Sequence, residues 1–548
     1  MTKTFIFSII TLFTLTLTIA QPTPDMHISS YGDDKTPYPL YGGIFGVDIE
    51  LNDSSIKLLG ENFDAFYGAW DIDMTEANRV REIDPNFEFI SYRGNWKVSG
   101  TDRDWIDLGN QNNILYYKLG TLKASINPKD NQLSIDSLFG SLVASTAHKD
   151  SACLYYVDKI IRFNTFIKVG NELVRITHVD SNKITVVRGF SSTTPENHNA
   201  GTVVLAPIYG RPPRTNSRKA YEYRHSDNSM LRWKYMLRAS IQSYLYHGGG
   251  IWIDILIGNL SHYAMSGETI PPELIYNAET MKPYDKLSRA KDAEAGIKYI
   301  QETFYSIYDK YPLIWGNNMM YPVNTEHDRT LMLWQTELKP RPINGFAQEN
   351  SVAQYGYGGH SGKKFFYASY KEWQETLQSN MYCGENKLAN RPIIMDGGID
   401  NKKFALLPKE RRHELFVYGY ATYLLGVKVE ADDKIYSKFG LCPVVLNEDD
   451  SYHFELDPCF TWNIGRPVET HASQDYMKYK LKNRTVFLRK FENGIVLVNP
   501  SDKLEENISL KAFGKDFINP DAPNKAINKV NLDANNGMIL LYKSAMKK

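Results

Sequence analysis

Apolar positions along this chain alternate between two periods. Short runs of strand length are followed by longer stretches in which apolar residues return every three or four positions. Residues 63–68 read as a strand, 75–83 as a helix and 87–92 as the next strand, with Arg93 and Trp96 just beyond it. Residues 230–246 predict a stronger helix, with Trp233, Met236, Leu237, Ile241, Tyr244 and Leu245 on its apolar face. The turn Gly248-Gly249-Gly250 ends that helix. Ile251-Trp252-Ile253 then reads as a buried strand that delivers Asp254 at its C-terminal end. The theme repeats over 290–310, where Ile297, Ile300, Phe304 and Ile307 share a face before Tyr311-Pro312 breaks the helix. Leu313-Ile314-Trp315 forms a strand ending at Asn317-Asn318. Residues 343–348 lead into Glu349, and 391–395 into Asp396. A helix over 411–425 feeds a strand at 427–430.

This rhythm of strand then helix predicts an α/β fold. Its natural closure is a (β/α)8 TIM-type barrel, with a doubly wound sheet as the alternative. Two regions depart from it. Residues 155–205 are rich in Val, Ile and Thr, with turns at Val169-Gly170-Asn171 and Asp180-Ser181-Asn182. They predict a small antiparallel β module inserted in the barrel. Near the end, 485–498 predicts two strands around Glu492-Asn493-Gly494, and 537–542 a last one. The resulting division is a signal peptide at 1–20, the first part of the barrel at 21–148, the β module at 149–210, the rest of the barrel at 211–455 and a C-terminal antiparallel β-sandwich at 456–548.

The segment 1–20 has Lys3, an apolar stretch and small residues at Thr18-Ile19-Ala20, the pattern of a cleaved secretory signal. It predicts a secreted or lumenal protein with no membrane insertion of the mature chain. Sequons at Asn52, Asn259, Asn483 and Asn507 fit that route. The cysteines are Cys153, Cys383, Cys442 and Cys459. No C-x-x-C spacing points to zinc, and Cys442 with Cys459 is the first pair to test for a disulfide. Basic and acidic residues balance at 63 each, which argues against nucleic acid or an acidic membrane surface as the main partner. The 36 tyrosines suit either sugar stacking or a large core.

Asp254, Glu349 and Asp396 each end an apolar run, and parallel strands closing a barrel bring such ends to one face. Two carboxylates flanking a glycosidic bond can hydrolyse it, one as acid and the other as nucleophile or base. Asp254 is the candidate nucleophile or base and Glu349 the candidate acid/base. Asp396, Tyr67, Trp70, Arg93, Trp96 and Asn317 are candidate sugar contacts. Each has a plainer reading, a cap for a strand-end Asp and packing of the barrel mouth for an aromatic. Asp71 and Asp73 read as turn or rim residues, and His262 and His360 as rim residues. Neither an H-E-x-x-H pattern nor a G-x-S-x-G elbow occurs, and Gly356–Gly362 lacks the P-loop G-K-[ST]. No metal or cofactor is called for.

Gly250-Ile251-Trp252-Ile253-Asp254, the run from Asn344 to Asn350, Asn463-Ile464-Gly465-Arg466-Pro467 and the stretch from Arg489 to Pro500 resemble hypothetical glycoside hydrolase families with a TIM-barrel core and a C-terminal β-sandwich. Ile255 stands where those families usually have Asn. The resemblance implies hydrolysis of O-glycosidic bonds in a polysaccharide or glycoconjugate. The alternative is a carbohydrate-binding or adhesive protein on a degenerate barrel. Glu172-Leu173-Val174-Arg175-Ile176, Arg188-Gly189-Phe190 and His198-x-x-Gly201 resemble a small β module of phage-tail and surface proteins, which implies a structural or adhesive role.

Overall fold

The strands of the central sheet follow the chain. In the computed structural model, β1 (Leu40–Gly43), β2 (Ala65–Tyr67), β3 (Glu88–Arg93), β4 (Gly250–Ile253), β5 (Ile314–Asn317), β6 (Gly345–Ala347), β7 (Asn390–Ile394) and β8 (Ser437–Leu441) pair in that order, and β8 pairs with β1. Every pairing is parallel. The structure describes residues 29–32, 36–43, 51–68, 72–93, 97–99, 114–138, 166–180, 183–208, 222–224, 229–253, 270–284, 286–317, 345–347, 353–355, 365–385, 390–394, 407–447, 451–469, 473–514 and 516–545.

Helices α1 (Asp53–Asn62), α2 (Met74–Arg81), α3 (Met230–His247), α4 (Lys286–Tyr308), α5 (Tyr370–Glu385) and α6 (Lys409–Gly426) lie in the connections. The sequence explains their ends. Asn52 caps α1 by accepting from the Ser55 N–H. Asp73 and Glu76 form a capping box on α2, so Asp73 is a cap. The three glycines after α3 serve three needs. Gly248 closes the helix at φ 64°, which favours a residue without a β-carbon. A β-carbon at Gly249 would sit 2.0 Å from the Phe89 carbonyl oxygen, and one at Gly250 2.4 Å from that of Leu313.

Outward positions of the barrel strands pack against the helices. Ile251, Ile253 and Ile314 join Trp233, Met236, Ile297, Ile300 and Phe304 in one core. Two expected members of the helix faces are displaced. Leu245 and Ile307 are 59% and 54% exposed, while Tyr244 and Tyr308 pack against each other at the helix ends, 4.8 Å between ring centroids. The expected strand at 427–430 is also corrected. That segment is irregular, and the eighth barrel strand comes later, at Ser437–Leu441. The buried Arg489 claims the carbonyls of Leu424, Leu425 and Val427 at 2.9, 3.0 and 2.7 Å, fastening the end of α6 instead.

Helix α6 is buried from Leu415 to Gly426 because it has layers on both sides. Beyond it lies a five-stranded antiparallel sheet of Phe487–Phe491, Gly494–Asn499, Asn536–Tyr542, Phe517–Asn519 and Ala522–Ile527. Alternate residues divide its faces. Phe487, Val496, Val498, Ile539 and Leu541 join the core around α6. Leu488, Ile495, Leu497 and Leu540 face Ile508, Val530 and Leu532 of a two-stranded sheet.

The inserted module reaches beyond 149–210. Its ring of antiparallel pairings takes in Tyr116–Leu122, Gln132–Ser137, Phe166–Val169, Glu172–Asp180, Lys183–Val187 and Val203–Pro207, and Val203–Pro207 closes on Tyr116–Leu122. The short ribbon Lys97–Ser99 with Glu222–Arg224 joins it to the chain between β3 and α3.

Candidate functional site

The interior of the barrel is aromatic. Tyr41, Ala65, Tyr67, Ile90, Trp252 and Trp315 form one buried cluster, with the half-buried Tyr92 packed on it. Branched aliphatic residues dominate most such interiors. Here the rings meet edge to face: Tyr67 with Trp252 at 5.0 Å, Tyr92 with Trp252 at 5.5 Å and Tyr41 with Trp315 at 5.1 Å between centroids. Ala65 and Gly43 leave them room. Tyr41, Tyr92, Trp252 and Trp315 were not singled out from the sequence as interior residues. Strands buried on both faces carry no alternation that would separate an inner set from an outer one.

The N-terminal end of the barrel is closed by a charge pair. Lys438 Nζ lies 3.7 Å from Asp64 Oδ1 and 4.9 Å from the centroid of Tyr41, and both charged side chains are almost fully buried. Ser29 Oγ also donates to Asp64. This end lies away from the C-terminal strand ends where barrel chemistry sits, so the pair reads as a stabilising plug.

At the C-terminal ends, β3 finishes at Arg93, β4 at Ile253, β5 at Asn317, β6 at Ala347 and β7 at Ile394. The backbone of Arg93 pairs with Ile253, and that of Asn317 with Ala347. Tyr67 ends β2 and is only 1% exposed, so the described ring belongs to the packed interior. Asp254, Glu349, Asp396, Trp70 and Trp96 lie outside the described residues, as do Asp71, His262, His360, Asn259, the glycine-rich run 356–362 and the signal segment. Among the described residues, no group of three or more His, Cys, Asp or Glu side chains is placed to hold a metal ion. None of the described helices is long and apolar enough to cross a membrane.

No protein-family model matches the chain, and no curated protein matches it. Solved structures do. The glycoside hydrolase domain of PelA from Pseudomonas aeruginosa superposes with a TM-score of 0.32 at 8% identity, over 74% of this chain and 94% of that one. Bacillus licheniformis trehalose-6-phosphate hydrolase gives 0.40 at 7% identity, over 92% and 98%. The Flavobacterium johnsoniae GH31 dextranase gives 0.32 at 7% identity, over 94% and 52%. All three are named as glycoside-active enzymes, but superpositions this loose do not transfer an activity. The fold rests on the strand pairings themselves.

The residues quoted for the inserted module gather around one buried carboxylate. Glu172 is fully buried and receives Arg188 Nε and Nη2 at 2.7 and 2.6 Å, the Gly189 and Glu196 N–H groups at 2.9 and 3.2 Å, and contacts His198 Nε2 at 2.9 Å. Burial alone would raise its pKa. The hydrogen bonds, those of Arg188 first and His198 second, outweigh burial and hold it at about 2. Arg188 also donates to the carbonyls of Asn127 and Glu196 at 2.6 and 2.7 Å. With every oxygen engaged, the cluster is a structural hub.

Cys442 and Cys459 are not joined by a disulfide, so the first pair to test is not made. Both are buried in the core around α6, where a thiol packs as a small apolar group. The Cys459 N–H is held by Asp457 at 2.9 Å in the short turn Pro458–Thr461. Cys153 and the side chain of Cys383 lie outside the described residues.

Proposed function

We propose that the protein is a secreted glycoside hydrolase that cleaves O-glycosidic bonds of a polysaccharide or glycoconjugate with two carboxylates. In this reading the scaffold is a (β/α)8 barrel and residues 456–548 are a β-sandwich. Asp254 is the nucleophile or base and Glu349 the acid/base. Asp396, Arg93, Asn317, Trp70 and Trp96 bind sugar, and Tyr67 supports the floor beneath them.

One observation carries the reading. β4, β5, β6 and β7 are consecutive parallel neighbours. In the sequence, Asp254 follows the last residue of β4, Asn317 ends β5, and Glu349 and Asp396 come two residues after the ends of β6 and β7. In sequence, then, three of the candidates follow the described ends of β4, β6 and β7, and Asn317 is the last residue of β5. The aromatic interior, drawn from β1 to β5, is a buried and rigid core below the C-terminal strand ends. The exposed sequon residues Asn52, Asn483 and Asn507 support a route through a glycosylating compartment.

The test is reducing-end release from polysaccharides and glycoconjugates by the wild type, Asp254→Asn and Glu349→Gln. Each variant should lose activity by about 10²–10⁴-fold with unchanged thermal unfolding. Hydrolysis that survives both substitutions overturns the assignment. Glycan binding by a wild type that hydrolyses nothing would make the barrel a binding scaffold. Product stereochemistry follows from the carboxylate spacing, roughly 5 Å for retention and about 6.5–9.5 Å for inversion.

A further inference from the structure

The core of the inserted module takes in part of the connection between β4 and α4. The connection from β4 to α4 includes the strand Ile275–Tyr276, which pairs with Tyr116 and Tyr117 of the module. Ile270, Ile275, Tyr276, Ala278 and Tyr284 from that connection are buried in the same cluster as Ile167, Val169 and Leu205. A detachable adhesive domain would complete its core alone. This one is completed by part of the β4–α4 connection, and it is tied to the chain at two successive connections, those after β3 and β4.

The segment itself is a tight hairpin. Tyr284 N–H donates to the Ile275 carbonyl at 2.6 Å, and Met281 N–H to that of Asn277 at 3.0 Å. Asn277 Oδ1 accepts the N–H groups of Glu279 and Thr280, each at 2.9 Å. Met281 holds φ at 54°, an uncommon value for its residue type. The ammonium group of Lys168 reaches this turn from the module and donates to the Ala278 carbonyl. Lys168 is only 4% exposed, and its strand Phe166–Val169 is buried throughout. A lysine rarely takes such a position without a role for its charge. Burial pushes its pKa down, and Glu279 opposes that shift.

We propose that Lys168 is a positioning residue. Through the Ala278 carbonyl it fastens the segment that runs into α4 to the module, and so steadies the start of α4 for the reaction proposed above, on which this inference rests. The module is then a brace for the start of α4.

The experiment compares full-length wild type, Lys168→Met and Lys168→Arg by hydrogen exchange and steady-state hydrolysis. Lys168→Met should speed exchange across 275–284 by about tenfold, the worth of one charge-assisted hydrogen bond, with 314–317 and 487–499 unchanged. It should lower kcat more than it changes KM, and Lys168→Arg should restore both. Should Lys168→Met fail to fold, Asn277→Ala loosens the same turn from its half-buried side. Unchanged exchange in the variant overturns the anchoring. Faster exchange with wild-type kcat overturns the positioning role. A wild type without hydrolysis sinks the glycosidase reading separately, and the exchange result still decides the anchoring.

Discussion

Gly43 of β1 lies in register with Tyr67 of β2, and a β-carbon on Gly43 would fall 1.7 Å from the Tyr67 ring. The missing side chain on one strand is the space occupied by the ring on the next. Gly43→Ala should therefore destabilise the protein by about 1–3 kcal/mol or more through overpacking. Tyr67→Ala alone leaves a cavity and costs about 3–5 kcal/mol, as large-to-small aromatic changes do. The double variant should be less destabilised than the two single changes added together, because the second change removes the clash made by the first. Urea unfolding of the four proteins measures the coupling. Strict additivity would mean the ring does not fill the Gly43 space.

The Glu172 hub makes a prediction about acid. Its folded pKa of about 2 lies below the ordinary 4.5. A depressed carboxylate contributes stability that is fully present above the unfolded pKa and lost as pH falls through the folded one. Wild type should lose this contribution between about pH 4.5 and 2. Glu172→Gln should lose it at every pH and leave Arg188 short of its partner, costing about 3–5 kcal/mol at neutral pH. The gap between the two proteins should narrow on acidification. Exchange or limited proteolysis of residues 166–207 across that range reads the effect within the module. A gap that is constant from neutral pH to pH 2 contradicts the hub's charge.

These relationships mark what could be read from the sequence and what could not. The β4 strand and its glycine turn were legible because α3 is long and periodic and Gly248-Gly249-Gly250 punctuates its end. The strands β1 and β8 were not, since Leu-Tyr-Gly-Gly and Ser-Lys-Phe-Gly-Leu are short and buried on both sides. The segment after α6 looked like a strand because its true partner, Arg489, lies more than 60 residues away in sequence. The motif residues of the module were visible one by one, but only folding joins Glu172 to Arg188 and His198. Asn317 as the end of β5 could be inferred from its apolar run alone, whereas Asp254, Glu349 and Asp396 lie outside the described residues. The aromatic filling of the barrel needed the register. Two-layer packing of the C-terminal sheet needed the alternation of Leu488 and Leu497 against Phe487 and Val498, which only the opposing cores separate.

His413 makes the opposite prediction for alkali. Its Nδ1 lies 2.8 Å from Asp457 Oδ1 and its Nε2 3.1 Å from Asp521 Oδ2, so one imidazolium of α6 bridges the turn before Cys459 and the edge of the C-terminal sheet. Hydrogen bonds to Asp457 and then Asp521 raise its pKa from 6.5 to about 10 against the cost of burial. A raised base contributes stability that is fully present below the unfolded pKa and lost as pH rises through the folded one. The bridge should therefore be intact at pH 6.5 and fade towards pH 10. Asp521 is 46% exposed, so Asp521→Asn should cost only about 1 kcal/mol at neutral pH. His413→Gln should cost more, because Asp457 is 8% exposed and loses its charged partner. Lysine and tyrosine titrations also act in this range, so the informative quantity is the difference between wild type and His413→Gln. That difference should shrink steadily from pH 7 to 10. An NMR titration of the His413 ring placing its midpoint near 6.5 would show that the two carboxylates do not hold the proton, and the bridge would then be a pair of neutral hydrogen bonds.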